Sequence, residues 1–461
     1  MVSPFALSER AQDSNRNPRS AHVRITESGR EIESEFVANL VRNRARLQPC
    51  RYVATTQGFQ PLPRETMELT FYIVVAAELL LSLWSLLQGF QWLAMSRRHS
   101  GHHSGFFTPR VALLCPCKGD EPGLEENLHA LTAQDYPNYE IFFVLARAED
   151  SASTILRRVS TASAAPAHVV IAGRAQSCGE KVNNLRFAID QLDASFEVVV
   201  FADSDGRPGR QWLTHLVAPL SDPKLGATTT FRWWIPVKGG FASALGAAWD
   251  ASIVTMLGEH DHNFCWGGGT AMRLSVFDEV KVKDHWAGAV SDDWGITRAL
   301  RAAGRKIQFV PECLVPTLHD ANAKNLLNFT NRQITITRVY APKIWFAGAC
   351  AHVLYCAAII LGIAEIIHLV SIGQLWLTTA LVLILIMLLA AVKGTIRWIA
   401  VTDLLPAYKN KLQTYAWAWT LLAPLAPFLY AINFTTSAFS RRIKWRGIRY
   451  YLRSASQTEI V

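Results

Sequence analysis

Hydrophobic positions follow three different patterns along this chain. From Leu69 to Met95 they form one nearly unbroken block without Lys or Arg, longer than the ~20 apolar residues that carry a helix across a bilayer. The block starts too late, is too long and lacks a small-residue cleavage site for a secretory leader, so it predicts a transmembrane helix. Between Arg110 and about Gln308 the pattern changes to short apolar runs, at 111–115, 141–145, 168–172, 198–202 and 227–231. Amphipathic stretches at 125–133, 153–160, 182–192 and 209–220 separate them. Strands alternating with helices predict an α/β domain with a mostly parallel, Rossmann-like sheet, whose ligand sits at the carboxyl ends of the strands.

Long apolar blocks return near Trp345. Residues 346–369 and 375–392, with Ser371-Ile372-Gly373-Gln374 between them, predict a helical hairpin. A third block, 414–432, contains Pro424 and Pro427. It either crosses with a kink or enters and returns. Arg97-Arg98, then Lys393, Arg397, Lys409 and Lys411, then Arg441-Arg442 flank these blocks, and all three groups place the catalytic part at the cytoplasmic face. Full crossing of the third block would put the basic tail outside, so the re-entrant or interfacial path is preferred. The predicted organisation is therefore an N-terminal extension (1–66), a transmembrane helix (67–96), the α/β domain (97–343), C-terminal transmembrane or re-entrant helices (344–438) and a basic cytoplasmic tail (439–461).

Composition agrees with this division. Half of the 461 residues are hydrophobic and the mean hydropathy is positive, yet the net charge is +9 with a pI near 9.2. The basic residues concentrate beside the apolar blocks, where anionic headgroups are the nearest partner, and nucleic acid is not expected. The first 65 residues hold ten Arg, no Lys and no sustained apolar period, the mark of a weakly structured extension. Eight cysteines without a repeated C-x-x-C spacing predict reduced thiols rather than staples or zinc ligands.

The chemistry concentrates at Asp203-Ser204-Asp205, directly after the run Val198–Ala202. If strand geometry persists, both carboxylates share a face, and hard oxygen ligands suit Mg²⁺ or Mn²⁺ on a diphosphate. A solvated turn with Asp side chains bonded to the local backbone is the plainer explanation of the same residues. Cys115-Pro-Cys-Lys118 and Arg147–Asp150 fall at neighbouring strand ends, and this convergence favours a site.

Lys118-Gly-Asp-Glu-Pro-Gly, Gln134-Asp-Tyr-Pro137, Gly179-Glu-Lys-Val-Asn-Asn-Leu185, the Asp-x-Asp element, Gly267-Gly-Gly-Thr-Ala-Met-Arg273, Asp292-Asp-Trp294 and Trp445-Arg-Gly-Ile-Arg-Tyr450 follow one another in the order of a known family. Over about residues 68–453 the chain resembles the ceramide glucosyltransferases, membrane-anchored inverting enzymes of the GT-A fold. The resemblance implies a UDP-sugar donor, a membrane lipid acceptor and a divalent cation. A departing diphosphate needs cationic charge. Asp205 is the expected metal ligand and Asp203 a contact to the metal or the uridine ribose, with Lys118 and Lys181 as nucleotide contacts. Inversion needs a carboxylate opposite the leaving group to take the acceptor's proton. The family pattern puts Asp293 there, with Asp292 beside it raising its proton affinity by like-charge repulsion. An Asp at a helix start is also simply comfortable there. Gly268, Gly269, Asp292 and Trp294 are the expected acceptor contacts, the glycines because positive φ and close backbone approach suit that loop. Five tryptophans, at 233, 234, 266, 286 and 294, suit a sugar-stacking, lipid-facing lining or an ordinary core.

The pattern is broken in two places. Arg147 stands where the family has an early Asp, which leaves Asp150 for the uridine-binding role. Thr335-Ile336 stand where the wider superfamily has Arg-Trp, so that Arg332 remains from that element, with Arg338 as a substitute for the diphosphate. This loss argues against a processive polysaccharide synthase. The expected reaction is transfer of a hexose, glucose from UDP-glucose, to a lipid hydroxyl such as that of ceramide. A hopanoid or polyprenyl-phosphate acceptor, and a scaffold that has lost turnover, are the competing readings. Glu78, Glu365 and His368 lie within apolar blocks and are candidates for guiding lipid.

Overall fold

The computed structural model describes residues 64–99 and 107–461; all but three residues of the expected N-terminal extension lie outside them. The core is a seven-stranded sheet. In chain order its strands are β1 (Val111–Pro116), β2 (Tyr139–Leu145), β3 (Ala167–Ile171), β4 (Val198–Ala202), β5 (Leu225–Thr229), then β7 (Gly269–Arg273) and β8 (Lys306–Phe309). Strand β6 (Arg232–Ile235) pairs separately with β9 (Val315–Leu318). The spatial order is β3-β2-β1-β4-β7-β5-β8. All neighbours are parallel except β7, which runs antiparallel to both β4 and β5. The α/β, mostly parallel architecture of the GT-A type, with flanking membrane helices, is thus the one found.

Sequence explains the sheet. Every residue of Val198–Ala202 is buried, as expected of a central strand covered by helices on both faces, which reads as a continuous apolar run. Helices Leu124–Thr132, Ser153–Ala162 and Glu180–Asp190 supply the crossovers at the expected places. Trp286 is fully buried and meets Phe201 and Phe277 edge-on, at centroid distances of 5.7 and 5.5 Å, so it belongs to the core. Trp233 does too, packed on Trp419.

Four helices are long and apolar enough to cross a membrane: Glu68–His99, Pro342–Ser371, Leu377–Leu404 and Ala416–Phe439. The second and third form the expected hairpin, but the third continues through Lys393 and Arg397, which the sequence reading had placed beyond it. The fourth is interrupted into Ala416–Leu421, a short 3₁₀ turn at Ala423–Leu425 and Ala426–Phe439, because a proline ring inside a helix removes a hydrogen bond and clashes with the preceding turn. Both ends of this block are tied to the α/β domain. Before it, the Tyr415 hydroxyl donates to Val237 O at 3.1 Å; after it, Arg446 pairs with Glu121. The basic tail is a folded element, an antiparallel sheet of β10 (Arg442–Trp445), β11 (Ile448–Ser454) and β12 (Gln457–Ile460).

Candidate functional site

Register decides where the acidic residues meet. Ala202, the last residue of β4, pairs with Gly269, the first of β7, so Asp203 emerges beside Gly267-Gly268. Strand geometry stops at Ala202, and a turn follows at 204–205. The two carboxylates therefore do not share a strand face as expected; the turn nevertheless brings both to one cavity. The three glycines are required for closeness rather than handedness, since none has positive φ. A Cβ on Gly267 would collide with Asp292 Oδ2 and stand 2.5 Å from Lys181 Nζ, and one on Gly268 would stand 2.7 Å from Asp203 Oδ2. Gly179 is equally constrained: its N–H donates to Ala289 O at 2.8 Å, and a Cβ there would lie 2.8 Å from Val290 O. This approach seats the helix carrying Lys181 against the loop that leads into Asp292.

Lys181 is the centre of the cluster. Its Nζ lies 2.7 Å from Asp203 Oδ1 and 2.9 Å from Asp292 Oδ2, and it donates to Gly267 O at 3.2 Å. Burial opposes its charge, but Asp203 and Asp292 overcome this and hold its proton well above the usual lysine range. Burial, then the Asp203 charge, pushes Asp205 up to about 6. Burial pushes Asp292 up to about 6 as well, against the pull of Lys181. Asp293 opens the helix Asp292–Ala302. Its Oδ1 accepts from the Ser291 hydroxyl and, at 2.7 Å, from Trp294 N. No partner for its Oδ2 is found among the described residues, which suits a group that receives a proton.

Cations face these carboxylates. Arg232, which sequence reasoning missed, is held by buried Asp250 at 2.9 Å and acts electrostatically on Asp205. Arg332 stacks over Phe329 and Trp445, at 5.4 and 5.0 Å, and burial lowers it to about 10. Lys118 is paired with Glu180 at 2.6 Å. No motif spacing announces Arg232: it joins the site through the pairing of β6 with β9, where Arg232 stands opposite Val315. Trp234, Trp266 and Trp294 line the cavity, with Trp294 stacked on Phe264 at 5.4 Å.

The cavity, about 1310 Å³, runs from this cluster down between the membrane helices. Of the expected site residues, Lys118, Lys181, Asp203, Asp205, Asp292, Asp293, Trp294 and Arg332 line it. Others lie elsewhere. Asp150 Oδ1 accepts from Gly119 N at 2.8 Å and Ala152 N at 3.0 Å and so fixes the loop after β1. Arg338 donates to Ser437 O and stacks on Trp345. Gly268 and Gly269 stand behind the cavity wall, against Trp266 and Thr230. Glu78 lines the cavity, whereas Glu365 and His368 do not.

A profile of Glycosyl transferase family 21 matches residues 72–458. The chain belongs to glycosyl transferase family 21. Solved structures of other glycosyl-transferring proteins are similar at a distance. The mannosyltransferase PcManGT from Pyrobaculum calidifontis, in complex with GDP-Man and Mn²⁺, is 16% identical with a TM-score of 0.45, covering 79% of this chain and 99% of its own. Glucosyl-3-phosphoglycerate synthase from Mycobacterium tuberculosis, with Mn²⁺ and UDP-glucose, is 15% identical with a TM-score of 0.35, covering 51% and 84%. At such scores these likenesses add nothing to the family assignment.

The donor set of the cluster fits a divalent ion. Among the described residues no three His, Cys, Asp or Glu side chains gather as a protein-only cage. Asp205 Oδ1, however, is buried without a partner, and an ion that takes one or two carboxylates, with phosphate oxygens and water completing its shell, asks for no more. The Glu259-His-Asp-His262 run is a polar loop, with Glu259 on Arg98 and Asp261 on Lys306.

Proposed function

We propose that this family 21 glycosyltransferase moves one hexose, glucose from UDP-glucose, to the hydroxyl of a membrane lipid such as ceramide, with inversion and at the cytoplasmic face. The observation that carries the reading is continuity: one cavity is lined both by Asp203, Asp205, Asp292 and Asp293 and by residues of the helices long and apolar enough to cross a membrane. A soluble acceptor needs no such passage, whereas a lipid held in the membrane plane does.

Asp205, with Asp203, would hold a Mg²⁺ or Mn²⁺ ion that neutralises charge on the departing diphosphate. Arg332 and Arg232 supply fixed positive charge on the same side, in a site where burial strengthens each interaction. Lys181 balances the charges of Asp203 and Asp292 side by side and pins the two halves of the site together. Asp293 accepts the acceptor hydroxyl's proton as its oxygen attacks the anomeric carbon; the bond from that carbon to the diphosphate breaks on the opposite face, giving inversion. Ser291 and Trp294 N fix the Asp293 carboxyl, so little reorganisation is needed at the moment of attack.

Purified protein in lipid nanodiscs, given labelled UDP-glucose, UDP-galactose or UDP-N-acetylglucosamine with Mn²⁺ or Mg²⁺ and a panel of ceramide, hopanoid and polyprenyl phosphate, tests the reading. Labelled glucosylceramide of β configuration supports it. Product with another lipid alone replaces the acceptor, and the absence of product with every combination favours a scaffold.

A further inference from the structure

The lower cavity holds charges that sugar transfer does not use. Lys393 and Arg397 lie one helical turn apart in Leu377–Leu404, and both line the cavity. Neither has a hydrogen bond or direct ion pair among the described residues. The acidic group that acts on Lys393, Glu78 on the helix Arg64–His99, also lines the cavity and is only 3% exposed. Its Oε1 accepts from Ser82 at 2.8 Å, while its Oε2 has no partner. Two cations against one carboxylate leave a positive excess inside the cavity. Such groups are costly unless something balances them.

Depth identifies the balancing group. On the helix Leu377–Leu404 the exposed apolar residues run from Leu377 to Leu388 and stop; Lys393 and Arg397 follow at once. A Cβ on Gly89 would meet Ile396 at 3.7 Å, so these cations stand level with the end of the outward apolar face of the first helix, at Phe90. Arg97, paired with Asp403 at 3.2 Å, lies beyond. The two cations thus sit inside the cavity at the upper edge of the lipid-facing band, the level of lipid phosphates.

We propose that Lys393 and Arg397 bind the anionic phosphate headgroup of a membrane lipid, at a site separate from the nucleotide-sugar cluster. Arg forks two donors to phosphate oxygens and Lys adds a point charge. The site does not depend on which sugar or acceptor is used.

The test uses full-length protein in nanodiscs of phosphatidylcholine, doped with phosphatidic acid or phosphatidylglycerol of matched tails. Bound lipid is read by native mass spectrometry, beside Lys393→Gln/Arg397→Gln, Asp293→Asn and, as a charge-keeping control, Lys393→Arg. The expected result is enrichment of the anionic lipids over phosphatidylcholine by about tenfold, lost in the double Gln variant and kept in Lys393→Arg and Asp293→Asn. Inorganic phosphate at millimolar concentration is expected to leave the enrichment intact; its displacement of the lipid overturns the lipid assignment in favour of a free phosphate site. Equal retention of neutral and anionic lipid by wild-type protein overturns the proposal without recourse to any variant. Because Asp293→Asn is expected to lower transfer but not lipid retention, failure here is distinct from failure of the catalytic reading.

Discussion

The Lys181 ammonium lies 2.9 Å from the Asp292 carboxylate, and the same nitrogen lies 2.7 Å from Asp203. One side chain thereby joins the strand end that would hold the donor to the helix start that would deprotonate the acceptor. Lys181→Met leaves the buried Asp292 carboxylate and the partly exposed Asp203 without their cation and is expected to destabilise the protein by about 3 kcal/mol near neutral pH, with transfer falling more than about a hundredfold. Thermal unfolding and turnover measured on one preparation check this. Lys181→Arg keeps the charge but crowds Gly267, and its loss is expected to be smaller.

Asp293→Asn should reduce kcat by about a thousandfold, within the range for a lost general base, while the donor KM changes little. Steady-state kinetics with varied UDP-sugar separate the two. A fall confined to KM would move Asp293 from proton acceptor to substrate contact.

Chelation should stop transfer and added Mn²⁺ or Mg²⁺ restore it. Asp205→Asn is expected to raise the metal concentration for half-maximal rate by more than about tenfold, since it removes a charged ligand from an ion that keeps few protein contacts. Metal titration of the rate reads this directly.

Asp205 and Asp292 both stand at about 6 in the folded protein, raised from 3.8 by burial. Between these values the folded state holds protons that the unfolded chain releases. These groups therefore favour folding at low pH and lose that contribution as pH rises through about 6. Asp292→Asn removes one of them, so the stability of the variant minus that of wild type should increase from pH 4.5 to pH 7.5, by on the order of 2 kcal/mol. Unfolding of the nucleotide-free proteins across that range gives the sign; a difference that falls with pH contradicts it.

Tyr415 and Arg446, on either side of the interrupted helix, both contact the α/β domain. Cysteines introduced at Ser456 and Glu149 should then react with a membrane-impermeant maleimide from the same face. Labelling from opposite faces would mean that Ala416–Phe439 crosses completely.

How much of this was legible beforehand differs by element. The strands, the crossover helices and the apolar hairpin follow from local periodicity, which depends on neighbours three or four residues away. Pro424 announced a break in the last block and the basic residues after it favoured a re-entrant path, though not that Tyr415 and Arg446 would meet Val237 and Glu121. The Asp-x-Asp element and the acidic pair at 292–293 were visible as residue types at strand and helix ends, and family order suggested their work.

What the linear chain determined, then, was the alternation of soluble and membrane elements and the carboxylates and lysines available for chemistry, because burial patterns and strand ends are written in short-range spacing. Only the tertiary structure decided that Lys181 bridges Asp203 and Asp292, that Arg232 and Trp445 face the same cavity, and that Asp150 and Arg338 turn to backbone partners elsewhere. Those outcomes depend on the register of β4 against β7 and on close approaches at Gly179 and Gly267. Such contacts join residues tens to hundreds of positions apart, and their geometry is set by packing that no local pattern encodes.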